Sequence, residues 1–143
     1  MRHIRPWIES GGHFVSQYHR PIDNWDKTQS APLRLQPGSP SIRWRVTDAA
    51  APVRMLQPDH PLLNSPNRIT NEDFDGWVKE RGLYFASEWD PAYVPLLAMS
   101  DTDEAPLAGS LLAARIGAGS HVHCALNLFY QMDHMVVLSL IHI

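Results

Sequence analysis

Two apolar runs, Ser110 to Ile116 and His121 to Leu128, are joined by Gly117-Ala118-Gly119 and Ser120. Glycine tolerates the left-handed backbone that tight turns require. The spacing therefore predicts an antiparallel hairpin near the end of the chain. The beginning of the chain reads differently. Ile4, Trp7 and Ile8 fall at helical spacing, Gly11-Gly12 supplies a stop, and His13 to Tyr18 has strand composition. Helix, Gly-Gly, strand is the second half of a strand–helix–strand crossover. Together these elements predict an α/β domain with an antiparallel hairpin, partial and flavodoxin-like in type.

Between these ends the pattern is less regular. Residues 19–40 contain Pro21, Pro32, Pro37 and Pro40 and read as a long loop. Ser41 to Val46 alternates strictly, with Ile42, Trp44 and Val46 on one face and Arg43 and Arg45 on the other, which predicts a half-buried strand. Val53 to Leu56 reads as a short extended piece, and Pro58 and Pro61 bracket a turn. Thr70 is placed to cap a helix running through Trp77, and Gly82 ends that segment. Leu83 to Phe85 and Val94 to Met99 read as strands, with Pro95 placing the latter near a sheet edge. Asp101 to Glu104 reads as an exposed acidic turn, and a helix is expected near Phe129.

Composition narrows the class. A length of 143 residues suits one domain, and 44% hydrophobic residues with five tryptophans argue against disorder. The net charge of -3 argues against a general nucleic-acid binder. It is unevenly spread: residues 1–70 hold nine basic and five acidic side chains, and residues 71–143 hold three and ten. The single cysteine excludes an intrachain disulfide and a thiolate zinc cluster. No apolar run is long enough to span a membrane. The start has no apolar stretch of the signal-peptide kind, so the expected location is cytoplasmic.

Two groups of residues are candidates for ligand binding. His19, Arg20, Asp23 and Trp25 lie where a strand ends, the edge at which open α/β sheets bind ligands. His19 and Arg20 would face an anionic or hydroxylated ligand. The competing reading is a loop pinned by Trp25, with Asp23 and Asp26 closing turns. His121 and His123 are two residues apart, so on a strand both imidazoles share one face. A metal would need a third ligand that local sequence does not position, and no metal site is assigned. Cys124 lies in an apolar strand out of phase with these histidines and reads as a buried hydrophobe rather than a nucleophile. No phosphate-binding loop, paired carboxylates or Gly-x-Ser-x-Gly elbow is present, so no catalytic residue is assigned.

Several segments resemble one protein family. They are Trp7 to Val15, Tyr18-His-Arg-Pro-Ile-Asp-Asn-Trp25, Asp59-His-Pro-Leu-Leu63, Lys79-Glu-Arg-Gly-Leu-Tyr-Phe85 and Ile116 to Leu126. They are similar to the C-terminal part of bacterial PIG-L (LmbE-like) deacetylase family proteins. In longer members a zinc-dependent N-acetyl-sugar deacetylase domain precedes a domain like class I glutamine amidotransferases and the trehalose-utilisation ThuA family. The resemblance implies a hydrolase as parent, with zinc in a deacetylase domain that this chain lacks. It also implies that domain of the same polypeptide as partner, and a sugar as possible ligand. Neither parental active site carries over. His60-Pro61 is preceded by Asp59 and followed by Leu62, unlike the Ala-His-Pro-Asp-Asp zinc motif. Cys124 is not in an elbow, and Ala125 stands where a glutaminase needs Glu.

The resemblance implies a non-catalytic accessory or ligand-binding domain over 1–136, with its N-terminal strands missing. Residues 137–143 read as a non-native tail. The alternative is a stand-alone ThuA-like carbohydrate-binding or carbohydrate-utilisation module.

Overall fold

The computed structural model describes residues 3–18, 31–134 and 136. The opening helix forms as expected. Ile4–Glu9 (α1) buries Ile8, and Gly11 leaves the helix at φ +119°. Gly12 follows because the Trp7 indole lies flat against it: a Cβ there would stand 2.4 Å from the ring. The chain then enters strand β1, His13–Gln17.

The expected loop over 19–40 holds a strand at its far end, β2, Leu35–Pro37. The earlier part of that loop, with His19, Arg20, Asp23 and Trp25, lies outside the described residues, as do residues 137–143. Ser41 to Val46 is not a strand. Ser41–Arg43 makes one 3-10 turn led by Pro40, and Ile42 is 66% exposed. The side chains are placed instead by irregular pairing with residues 82–85. Gly38 N–H donates to Phe85 O, Phe85 N–H to Trp44 O and Val46 N–H to Gly82 O, at 2.9–3.0 Å. Trp44 covers Gly38, where a Cβ would meet its ring.

Strand β3 is Arg54–Met55, within the expected extended piece. The helix expected from Thr70 to Trp77 is a single 3-10 turn, Asn71–Phe74. Its cap works as read, with Thr70 N–H donating to Asp73 Oδ2 at 2.8 Å. Gly76, at φ +70°, then turns the chain away before Trp77. Leu83 to Phe85 is also not a regular strand, because Tyr84 is left-handed at φ 59°. Strand β4 follows at Ala86–Trp89. Val94 to Met99 divides between two sheets, as β5 (Tyr93–Pro95) and β6 (Leu97–Ala98).

The hairpin is present as β7 (Leu111–Ile116) and β8 (Gly119–Cys124), turning at Gly117 with φ +60°. Helix α2, Leu128–Asp133, comes next.

The molecule is mixed α/β and built mostly of strands. Its largest sheet has the order β1-β8-β7-β5; β1 is parallel to β8 and the other pairs are antiparallel. Pro95 does lie on an edge strand. Alternation along β7 and β8 separates two cores. Leu111, Ala113, Val122 and Cys124 face a large one with Val46, Phe74, Trp77 and Phe85. Leu112, Ala114, Ile116 and Tyr93 face a smaller one under Ile8, Leu35 and Ala86.

The hairpin turn is locked to the α1–β1 corner. Ala118 N–H donates to Glu9 O, and Ser120 N–H to Gly12 O. A Cβ on Gly119 would lie 2.1 Å from Gly12 O and 2.2 Å from Ile8 O. The second glycine of the turn thus serves close backbone approach as well as the turn itself.

Candidate functional site

The two histidines of β8 share a face, and parallel pairing with β1 places Phe14 beside His121 and Ser16 beside His123. Ser16 Oγ lies between the two rings, 2.8 Å from His121 Nε2 and 3.1 Å from His123 Nδ1. On the other side β7 sets the small Ala114 opposite His121, and β5 sets Tyr93 opposite Ala114. Tyr93 therefore reaches across one strand to bring its hydroxyl within 2.6 Å of His121 Nδ1. Phe14 stacks on the His121 ring at 5.2 Å, and Tyr93 meets it edge-on at 5.5 Å. Both imidazoles are 0% exposed.

Each of the three hydrogen bonds joins a hydroxyl to an imidazole nitrogen, and which partner donates is set by the tautomers of His121 and His123. Burial holds the Tyr93 phenol well above its usual range, against the opposing pull of the Leu33 N–H. The hydroxyl is therefore neutral at ordinary pH. The chain Tyr93–His121–Ser16–His123 ties three strands together through polar groups inside the smaller core.

Cys124 points to the opposite face, as its phase requires. Burial pushes its thiol up to about 12, against a weaker opposing hydrogen bond from the Leu126 backbone. A thiol so held is a poor nucleophile at neutral pH. Among the described residues, no group of three or more His, Cys, Asp or Glu side chains could hold a metal ion.

Sequence reading brought out His121 and His123 but not Ser16 or Tyr93. It also passed over Arg81, inside the Lys79–Phe85 segment. Its guanidinium is buried and donates from Nε and Nη2 to Ala51 O at 3.0 and 2.9 Å and from Nη1 to Phe74 O at 2.5 Å. The Phe74 and Trp77 rings flank it at 5.6 and 5.3 Å. Burial lowers its pKa, partly offset by the more distant Asp48 and Asp75. Arg81 is held by backbone carbonyls and so braces the fold. Asp101 opens the expected acidic turn, whose residues 102–104 are exposed, with Glu104 N–H donating to Asp101 O at 3.2 Å. Its carboxylate is likewise an anchor, accepting from Asp48 N–H at 2.8 Å, Thr47 N–H at 3.0 Å and Thr47 Oγ1 at 2.9 Å and pairing with Arg45 at 3.1 Å.

An open cleft of about 600 Å³ lies beside the smaller core, lined by Arg5, Leu33, Arg34, Gln36 and Asp90 among others. Arg5 pairs with Glu9 at 2.9 Å, and Arg34 pairs with Glu88. Among the described residues no helix is long and apolar enough to cross a membrane. No family model, curated protein or solved structure matches the chain.

Proposed function

We propose that this chain is a non-catalytic accessory domain, flavodoxin-like and of the class I glutamine amidotransferase-like type, of a PIG-L-family zinc-dependent N-acetyl-sugar deacetylase. The observation that carries this reading is where the reactive side chains go. Cys124, His121, His123 and Arg81 all belong to segments that resemble the family, and all four are buried in the described fold. The histidines bond Ser16 and Tyr93 on neighbouring strands, Arg81 braces loops and Cys124 is a buried thiol, which supports docking or ligand binding over bond-making. Zinc and hydrolysis then belong to the deacetylase domain of the same polypeptide, and a cytoplasmic location goes with this reading.

The cleft beside Arg5 and Arg34 supports the second reading, a stand-alone ThuA-like carbohydrate-binding module. Its two guanidiniums and the Asp90 carboxylate offer donors and an acceptor to a sugar. The gene decides between the readings: an Ala-His-Pro-Asp-Asp motif upstream in the same open reading frame supports the accessory domain, and its absence favours the module. Acetate release from an N-acetylglucosamine conjugate by the purified 143-residue chain would overturn the first reading.

A further inference from the structure

We propose that the outer edge of β1 is the seam of a two-fold dimer, in which a second copy of this chain pairs its own β1 antiparallel about Val15. The inference stands apart from the proposed function.

The hydrogen-bond phase of β1 defines the edge. Ser120 N–H donates to Gly12 O at 3.1 Å, and Tyr18 N–H donates to Cys124 O at 3.4 Å. With the register His13↔Ser120 to Gln17↔Cys124, the even-numbered residues of β1 bond to β8. His13, Val15 and Gln17 present their N–H and C=O groups outward. Among the described residues no strand takes them, and β1 ends the sheet.

Three outward residues centred on Val15 are self-complementary. In an antiparallel pair about Val15, Val15 faces its own copy and His13 faces Gln17 twice. All three are hydrogen-bonded positions, because such positions recur every second residue. A seam built this way is isologous and closes after two copies.

Nothing in the strand opposes it. Natural edge strands are protected by charge, proline or bulges. The other edge of the sheet, β5, ends in Pro95. His13-Phe-Val-Ser-Gln17 contains no Lys, Arg, Asp, Glu or Pro, so no like charges meet across the seam.

The flanks are apolar. Val15 is 46% exposed, and Trp7, packed on Gly12 before the strand, is 50% exposed. Phe129, whose ring lies 5.6 Å from Tyr18 just after the strand, is 53% exposed. Antiparallel pairing brings the Trp7 end of one copy to the Phe129 end of the other, and these apolar ends add to the backbone bonds.

Sedimentation equilibrium over the micromolar range tests this, with Val15→Pro and Val15→Lys as variants. Val15→Pro removes an outward N–H and no bond to β8, so the far-ultraviolet spectrum and melting curve should be kept. Wild type should show a monomer–dimer equilibrium, and each variant should weaken it at least tenfold. If Val15→Pro fails to fold, Val15→Lys alone decides. A wild-type monomer at high micromolar concentration overturns the proposal. So does a dimer that both folded variants retain, or an open-ended series of larger species.

Discussion

Replacing Ser16 by alanine takes one hydroxyl away from two buried rings. That hydroxyl hydrogen-bonds His121 Nε2 at 2.8 Å and His123 Nδ1 at 3.1 Å. Removing a partner from a buried polar group costs about 1–3 kcal/mol, far more than the net gain from making the bond. Two such losses give an expected destabilisation of about 2–6 kcal/mol. A domain of this size has about 5–15 kcal/mol in all, so the urea midpoint should fall clearly while the slope of the transition stays the same. Tryptophan fluorescence follows the transition, since Trp44 and Trp77 pack in or against the large core. Ser10→Ala is the control. Its hydroxyl bonds the Trp7 carbonyl at an exposed helix end, so its loss should stay within about 0.5 kcal/mol. Tyr93→Phe extends the test. Because both hydroxyls act on the same imidazole, the double variant should depart from additivity by at least about 0.5 kcal/mol. A Ser16→Ala protein within about 0.5 kcal/mol of wild type would show that the network does not hold the strands.

Three further outcomes follow from the geometry. Gly119→Ala drives a Cβ into the Gly12 and Ile8 carbonyls and should cost more than about 2 kcal/mol, read from the shift in thermal midpoint; a wild-type melt would refute the close approach. Burial raises the Asp101 pKa, but the Asp48 and Thr47 N–H groups, the Thr47 hydroxyl and Arg45 outweigh it and hold the carboxyl below its usual value. Its contribution is therefore present above the unfolded carboxyl pKa and lost as pH falls through the lower folded value. Asp101→Asn should reduce stability at neutral pH and flatten this acid limb; an unchanged pH profile would count against it. Cys124, with its thiol raised to about 12, should label with iodoacetamide at pH 8 only as fast as the protein opens, and at once in urea; fast labelling of the native chain would contradict its burial.

What could be read from the residues was local. The hairpin, the α1 stop and β1 follow from short-range period and from glycine, and all three stand where they were expected. Ser41 to Val46 misled because alternation implies a strand only where a partner of matching length exists; Pro40 and the left-handed Tyr84 leave only irregular pairing. Thr70 did cap a turn, but Gly76 ended it within one turn. The site was half legible. The His121–His123 spacing showed a shared face, whereas Ser16 lies 105 and 107 residues away and Tyr93 lies 28 from His121. Those contacts depend on strand order, which no local pattern encodes. Arg81 looked like one charge in a polar run because its partners are carbonyls, which leave no trace in side-chain identity.

Arg81 also bears on how the irregular part of the molecule opens. Residues 44–82 contain one two-residue strand and short 3-10 turns, so they have few ladder bonds of their own. One guanidinium joins Ala51 to Phe74 and sits between two core aromatics. Stretches of chain otherwise free to fray separately are thereby made to open together. In native-state hydrogen exchange, amides near Val46, Ala51 and Arg81 should share one opening free energy, as a single cooperative unit. Arg81→Lys, which keeps the charge but loses the fork, should split that unit into independently exchanging pieces before it lowers the stability of the β7–β8 hairpin.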